Sequence, residues 1–136
     1  MMKIKEYRNF NLDEIVSLYK KVGWINYLKL ENKLNDAFNK SLLTLCAYED
    51  DKIVGLIRVV GDGISIIFIQ DLLVDPLYQG KKIGSLLVKA VLDKYKDVYQ
   101  IELLTDDTKN NKEFYERLGF KEVSANGCIA FVKINL

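Results

Sequence analysis

Residues 72–85, Leu-Leu-Val-Asp-Pro-Leu-Tyr-Gln-Gly-Lys-Lys-Ile-Gly-Ser, bring together the groups in this chain best suited to one chemistry. An apolar run, Leu72, Leu73 and Val74, leads through Asp75-Pro76 into a short basic loop. The spacing of Ile83, Leu86, Leu87, Ala90, Val91 and Tyr95 then predicts an amphipathic helix over residues 79–95. The start of a helix leaves backbone N–H groups unpaired and carries about half a positive charge, so a loop entering it can cradle phosphate. Gly80 and Gly84 let ligand oxygens come close, Lys81 and Lys82 add positive charge, and the Gln79 amide can donate. Backbone N–H groups through Ile83 and Ser85 would complete a cradle for a pyrophosphate. By local physics alone, a plain turn with solvated lysines accounts for the same residues equally well. The loop is neither a Walker-type nucleotide loop nor a dinucleotide fingerprint, because G-x-x-x-x-G-K-[ST] and G-x-G-x-x-G are both absent around it.

The rest of the composition narrows the chemistry. The 136 residues contain no His, which removes Ser-His and Cys-His dyads, the commonest zinc ligand and the usual base near neutral pH. Proton transfer must therefore run on Tyr, Asp, Glu, Lys or Cys. Cys46 and Cys128 lie far apart without C-x-x-C spacing, so neither a metal site nor a disulfide is expected, and both read as buried thiols. Twenty basic and nineteen acidic residues leave a net charge of +1, which argues against nucleic acid or an anionic membrane as primary partner. Residues 1–10 mix Lys3, Lys5, Glu6 and Arg8 with apolar residues, unlike a secretory leader, and residues 64–74 are too short and too polar to span a bilayer. A cytoplasmic protein is expected.

One domain over residues 1–136 must position the loop, since a chain of this length supports one core and nothing divides it. Residues 3–8 read as a first strand. Asn11 and Glu14 form a capping-box-like start to a helix carrying Leu12, Ile15, Val16, Tyr19 and Val22, which Gly23 stops. A second helix is expected over residues 27–39. Residues 42–48, 52–60 and 64–74 read as a three-stranded meander with turns at Glu49-Asp50-Asp51 and Gly61-Asp62-Gly63. After the long helix come a buried strand (98–104), a short helix (109–118) closed by Gly119, and a final strand (128–134). The order is βααβββαβαβ, an α/β (α+β) fold.

Two motifs in this order carry a family resemblance. Val74-x-Pro76-x-Tyr78-Gln79-Gly80-x-x-Ile83-Gly84, followed by Leu86-Leu87, resembles the acetyl-CoA signature [QR]-x-x-G-x-[GA] of the GNAT superfamily of N-acetyltransferases, with Lys82 at the place of the middle glycine. Downstream, Asn111-Lys112-Glu113-Phe114-Tyr115-Glu116-Arg117-Leu118-Gly119-Phe120 resembles the family's N-x-x-F-Y-x-x-x-G-F. The element order is similar too, so the resemblance covers essentially the whole chain. It implies a mixed, mainly antiparallel sheet flanked by helices, with the cofactor entering a splay between the fourth and fifth strands.

The resemblance implies acetyl-CoA as cosubstrate, with no metal, and transfer of acetyl to a primary amine of a small molecule or protein by direct attack in a ternary complex. Leu72, Leu73 and Val74 would bond the pantetheine arm through their backbones, with the Leu73 or Val74 N–H polarising the thioester oxygen. The cofactor loop would comprise Gln79, Gly80, Lys81, Lys82, Ile83, Gly84 and Ser85, with Asn111 bonding the arm or capping the preceding turn. Tyr115 would protonate the departing thiolate, its phenol being protonated at neutral pH; packing in its helix is the alternative. Asp71, placed by strand alternation opposite Leu72 and Gln70, would accept an amine proton through water or attract a cationic acceptor, or else bond neighbouring backbone. Glu102 is a weaker candidate base. Trp24 and Tyr27 would line the acceptor pocket or pack in the core. Family members are commonly dimers, so a homodimer is one expectation. A non-catalytic acyl-CoA-binding or regulatory module, and a partner-binding domain without cofactor, are the competing readings.

Overall fold

The computed structural model of the chain describes residues 1–135. Its elements are β1 (Met2–Glu6), α1 (Leu12–Lys21), a 3-10 segment (Ile25–Lys33), α2 (Leu34–Asn39), β2 (Leu43–Glu49), β3 (Lys52–Gly61) and β4 (Ile66–Val74). A 3-10 turn (Pro76–Tyr78), α3 (Ile83–Lys94), β5 (Gln100–Leu103), α4 (Lys109–Arg117) and a last 3-10 turn (Val123–Asn126) follow. The chain divides into two compact units, Met1–Leu104 and a second beginning at Thr105.

In the first unit five strands form one sheet in chain order; β1 to β4 pair antiparallel, and β5 lies parallel to β4. This is the mixed, mainly antiparallel sheet with flanking helices that the family resemblance implies. Local chemistry explains its turns and caps. The Asn11 side chain accepts from the Glu14 N–H at the start of α1, with Asp13 and Glu14 in the first turn and Lys20 and Lys21 in the last, matching the helix dipole. Asp62 accepts from the N–H groups of Ile64, Ser65 and Ile66, which closes the turn between β3 and β4.

Both sheet faces are covered. On one, Ile15, Leu18 and Tyr19 of α1 and Leu34 and Phe38 of α2 pack with Cys46, Leu56 and Leu73. The opposite face meets α3, whose Ile83, Leu87, Val88 and Val91 are buried. Gly55 sets the depth of that contact: a Cβ there would lie 2.9 Å from Ile83 Cγ2 and 3.3 Å from both Leu87 Cδ1 and the Leu73 carbonyl oxygen. Glycine at 55 thus lets the first turn of α3 sit directly on β3.

Several sequence expectations are corrected. The helix expected over residues 27–39 is a 3-10 segment through Lys33 and α-helical only from Leu34, because no residue of Ile25–Lys33 is fully buried to support an α-helical stripe. The long helix begins at Ile83, not at residue 79, since Gly80 and Lys82 both adopt positive φ. Residues 128–134, expected as a final strand, form no strand among the described residues, because no neighbouring strand pairs with them there. Cys46 is buried as expected, and burial pushes its thiol up to about 12, whereas Cys128, also expected to be buried, is exposed.

Candidate active site

The cofactor loop is built from the end of β4. Among the described residues β5 pairs with Ile66–Ile69, so the stretch from Gln70 to Val74 has β3 on one side and no described strand on the other. The Asp75 N–H donates to the Val54 carbonyl at 2.8 Å, which makes Gly55 and Val74 a non-hydrogen-bonded antiparallel pair. Alternation then turns the N–H and C=O of Leu72 and Val74 toward the open edge, and those of Leu73 toward β3. The Val74 carbonyl on that edge accepts from Gln79 Nε2 at 3.4 Å, folding the loop back on the strand.

Asp75 holds the turn. Its carboxylate accepts from the Leu77 N–H at 3.0 Å and lies 3.3 Å from Lys21 Nζ and 3.9 Å from Lys52 Nζ. Burial pushes this carboxyl up, but the Leu77 bond and Lys21 outweigh it and hold it below the usual carboxylate range. The ammonium groups of Lys52 and Lys81 stand 5.6 and 5.1 Å from the centre of the Tyr78 ring. The Asp75-Pro76 pair marks a turn in the sequence, whereas Lys21 and Lys52, distant in sequence, were missed as partners of its carboxylate.

Gly80 has φ +82° with open space around its Cβ position, so glycine is needed there for backbone conformation. Lys82 is the N-cap of α3 at φ +64° and ψ +18°, the left-handed region. The family motif puts its middle glycine at this position, and the backbone here keeps the glycine-like conformation although the residue is Lys. The first intrahelical bond runs from the Leu86 N–H to the Lys82 carbonyl. Consequently Ile83, Gly84 and Ser85 present N–H groups without intrahelical partners, beside two exposed lysines.

A second cluster lies on the α1 face of the same unit. The β3–β4 register shifts between Arg58 and Val59, where Asp71 and Ile69 are their partners and Gln70 is the extra residue of a bulge. This overturns the simple alternation expected for Gln70 and Asp71: both side chains reach the same aromatic group. Gln70 Nε2 donates to Tyr27 Oη at 2.7 Å, and Tyr19 Oη donates to Asp71 Oδ2 at 2.8 Å, while the two phenol rings lie 4.9 Å apart. Trp24 stacks on Tyr19 and meets Tyr27 edge-on, and remains partly exposed.

Asp71 has no solvent exposure, and Arg58 Nε donates to the same Oδ2 at 2.7 Å. Arg58 also donates to Ser41 Oγ through Nη1. Burial pulls the Arg58 guanidinium down, yet Asp71 outweighs it and holds Arg58 firmly charged. Burial, and then Asp71, push the phenols of Tyr19 and Tyr27 up. Asp71 therefore bonds two side chains, not the neighbouring backbone, in an ion pair shut off from solvent. Glu102 is half-buried on β5, beside Phe68.

In the second unit, Thr108 caps α4 by accepting from the Asn111 N–H, and Asn111 Nδ2 donates to the Asp106 carbonyl at 3.2 Å. Asn111 thus caps the preceding turn, one of its two expected uses. Tyr115 is half-buried between Phe114 and Phe120, with ring centres 4.9 and 5.8 Å away. Its carbonyl accepts from the N–H groups of Leu118 and Phe120 as the helix closes through Gly119. Burial pushes its phenol above the ordinary Tyr value, with Thr105 pulling the other way, so Tyr115 carries its proton at neutral pH.

The acetyltransferase (GNAT) domain family matches residues 16–134, and the chain belongs to this family. The GNAT family protein SP0256 from Streptococcus pneumoniae TIGR4 is similar at 41% identity and a TM-score of 0.88, over 99% of this chain and 98% of that one. A probable acetyltransferase from meticillin-resistant Staphylococcus aureus shares the fold with a TM-score of 0.79 at 23% identity, over 98% of this chain and 100% of that one. An uncharacterised N-acetyltransferase from Gracilaria tenuistipitata var. liui is 29% identical over 116 residues, 81% of this chain and 62% of that protein. The chain thus spans less than two-thirds of the length of that curated relative.

Proposed function

We propose that this chain is an acetyl-CoA-dependent N-acetyltransferase acting on a primary amine of a small molecule or protein. The observation that carries this reading is the open edge of β4 running into the unpaired N–H groups of α3. One continuous line of backbone donors there suits an amide-containing arm followed by a pyrophosphate. The donor set fits the cofactor: Leu72 and Val74 for the arm, and Gly80 to Ser85 with Lys81 and Lys82 for the phosphates.

Acetyl-CoA supplies an activated acetyl thioester when bound. The Val74 N–H, facing the open edge, takes the role of donor to the thioester oxygen; one such donor is worth roughly 2.7–4 kcal/mol in related acyl-transfer sites. Leu73 is set aside for this role because its N–H is spent on β3. Tyr115 holds the proton that the departing thiolate takes. Trp24 and Tyr27 offer the acceptor an aromatic wall. Asp71, locked in its ion pair, is a positioning residue for that wall through Tyr19, and the amine loses its proton to solvent before or during attack. We read residues 1–136 as one such domain, working in the reducing cytoplasm that its unpaired cysteines suit.

The test pairs calorimetry with an amine panel assayed for acetyl-CoA-dependent thiol release. The wild type should bind CoA and turn over at least one amine class. Gly84→Asp, which puts a side chain and a negative charge among the α3 N–H groups, should weaken CoA binding by ten-fold or more on the order of RT ln 10 per decade. Undiminished CoA binding in the folded variant would overturn the loop assignment, whereas CoA binding with no turnover on any amine would return the chain to a non-catalytic acyl-CoA-binding module.

A further inference from the structure

The bulge at Gln70 changes what stands beside the aromatic wall on the neighbouring strand. Leu56 and Leu73 are a register pair in the core under α1, and Arg58 and Asp71, the next pair on that face, meet α1 through Tyr19. The extra residue shifts the alternation of β4 by one, so Val59 and Ile69 turn to the opposite face and Val60 and Phe68 return to the α1 face. Phe68 pairs with Glu102 of β5, and partners in register share a face. Glu102 therefore stands on the face of Tyr19, Trp24 and Tyr27; without the bulge it would stand on the other.

Glu102 also lies close to the wall. It sits one rung before the β4–β5 pairing ends at Ile69 and Leu103, and Gln70 is two residues beyond Phe68. Strand spacing and rise put the Cα atoms of Glu102 and Gln70 about 8 Å apart. Gln70 is held by the wall, its Nε2 donating to Tyr27 Oη at 2.7 Å, which leaves its Oε1 as an oriented acceptor. The charged residues that β3, β4 and β5 bring to this place are Arg58, Asp71 and Glu102, Lys52 lying with Asp75 toward the other end of β3. Arg58 and Asp71 neutralise each other, whereas Glu102 is half-buried and has no ion pair or side-chain hydrogen bond among the described residues. Asp71 Oδ1 is besides a buried oxygen with no hydrogen-bond partner among them. Burial pushes the Tyr19 and Tyr27 phenols up, so both stay neutral. The face thus carries one uncompensated negative charge and spare acceptor oxygens beside aromatic rings, which suits a cation that donates N–H groups.

We propose that Glu102 selects the acceptor: it receives the ammonium group of an alkylamine, while Gln70 Oε1 takes one N–H and Trp24 and Tyr27 cover the carbon frame. A carboxylate in this place discriminates by charge. It repels an amine that carries its own carboxylate or phosphate beside the nitrogen, and it gives a neutral aryl amine no charge to bind. The inference rests on the acetyltransferase reading for the fate of the bound amine, but the preference in binding belongs to this face alone.

Trp24 is the single tryptophan of the chain, so its emission reports on the wall directly. Titrated against that emission, with and without CoA, 2-phenylethylammonium should bind roughly ten-fold or more tightly than 2-phenylethanol, which offers the same carbon frame without the charge. The gap should narrow at high salt. In Glu102→Gln the two probes should bind alike at unchanged CoA affinity, and Glu102→Asp should keep part of the preference. The wild-type comparison of the two probes stands even if a variant fails to fold. Equal binding of the ammonium and the alcohol to the wild type, no binding of either, or a preference that survives in Glu102→Gln would overturn the proposal. A preference that depends on Glu102, without acetyl transfer to any amine, would support this site and overturn the acetyltransferase reading instead.

Discussion

The Asp75 N–H meets the Val54 carbonyl at 2.8 Å, and this one bond decides which backbone groups of β4 face the open edge. It assigns the Val74 N–H outward and the Leu73 N–H inward to β3. The same Asp75 closes the turn through its carboxylate, so strand polarity and loop conformation share one residue.

Lys82 occupies a left-handed backbone position that costs a residue with a Cβ about 1–2 kcal/mol. Lys82→Gly should therefore be more stable than Lys82→Ala by about 1 kcal/mol in urea unfolding, because only glycine relieves the strain. Both variants lose the same charge, so both should bind CoA more weakly than wild type, and more so at low salt than at high salt. Equal stability of the two would show that the loop relaxes away from this conformation.

Gly55→Ala introduces a methyl 2.9 Å from Ile83 Cγ2, a stiff branch that cannot swing aside, and close to a backbone oxygen. The variant should lose about 1–3 kcal/mol in thermal or urea unfolding. Its CoA affinity should fall as well, since relief of the clash moves the first turn of α3. Loss of stability with unchanged affinity would mean that β3 gives way instead.

Asp71 and Arg58 are a buried pair, so removing one partner strands the other. Asp71→Asn should cost about 3–5 kcal/mol, whereas Asp71→Leu combined with Arg58→Met should recover most of that loss. Urea denaturation of the single and double variants measures both. If Asp71→Asn keeps full stability and loses only activity, Asp71 takes a direct part in proton transfer.

Tyr115→Phe should lower turnover by roughly 10²-fold with CoA affinity and folding preserved, because water substitutes in part for a general acid. Activity needs the protonated phenol and is lost as pH rises through its raised pKa, so the falling limb of wild-type activity lies above about pH 10. That limb should be missing from the Phe variant's profile of turnover against pH. An unchanged rate and profile would leave Tyr115 as packing between Phe114 and Phe120.

Elements with local causes were legible from the residues alone. Asn11 capping α1, the hairpin turns, the buried stripe of α3 and the closure of α4 at Gly119 all depend on residues a few positions apart, and so did the loop motif that marks the family. The remaining features depend on contacts between residues far apart in the chain. The bulge at Gln70 depends on how β4 meets β3, and it moved Gln70 and Asp71 into one cluster against the expected alternation. Arg58 and Tyr19 found Asp71 across 13 and 52 residues of sequence, a pairing that no spacing announces. The 3-10 geometry of Ile25–Lys33 and the unformed strand at 128–134 have the same origin: apolar periodicity becomes regular structure only where a neighbouring surface buries it or a neighbouring strand bonds it, and those neighbours are supplied by the fold.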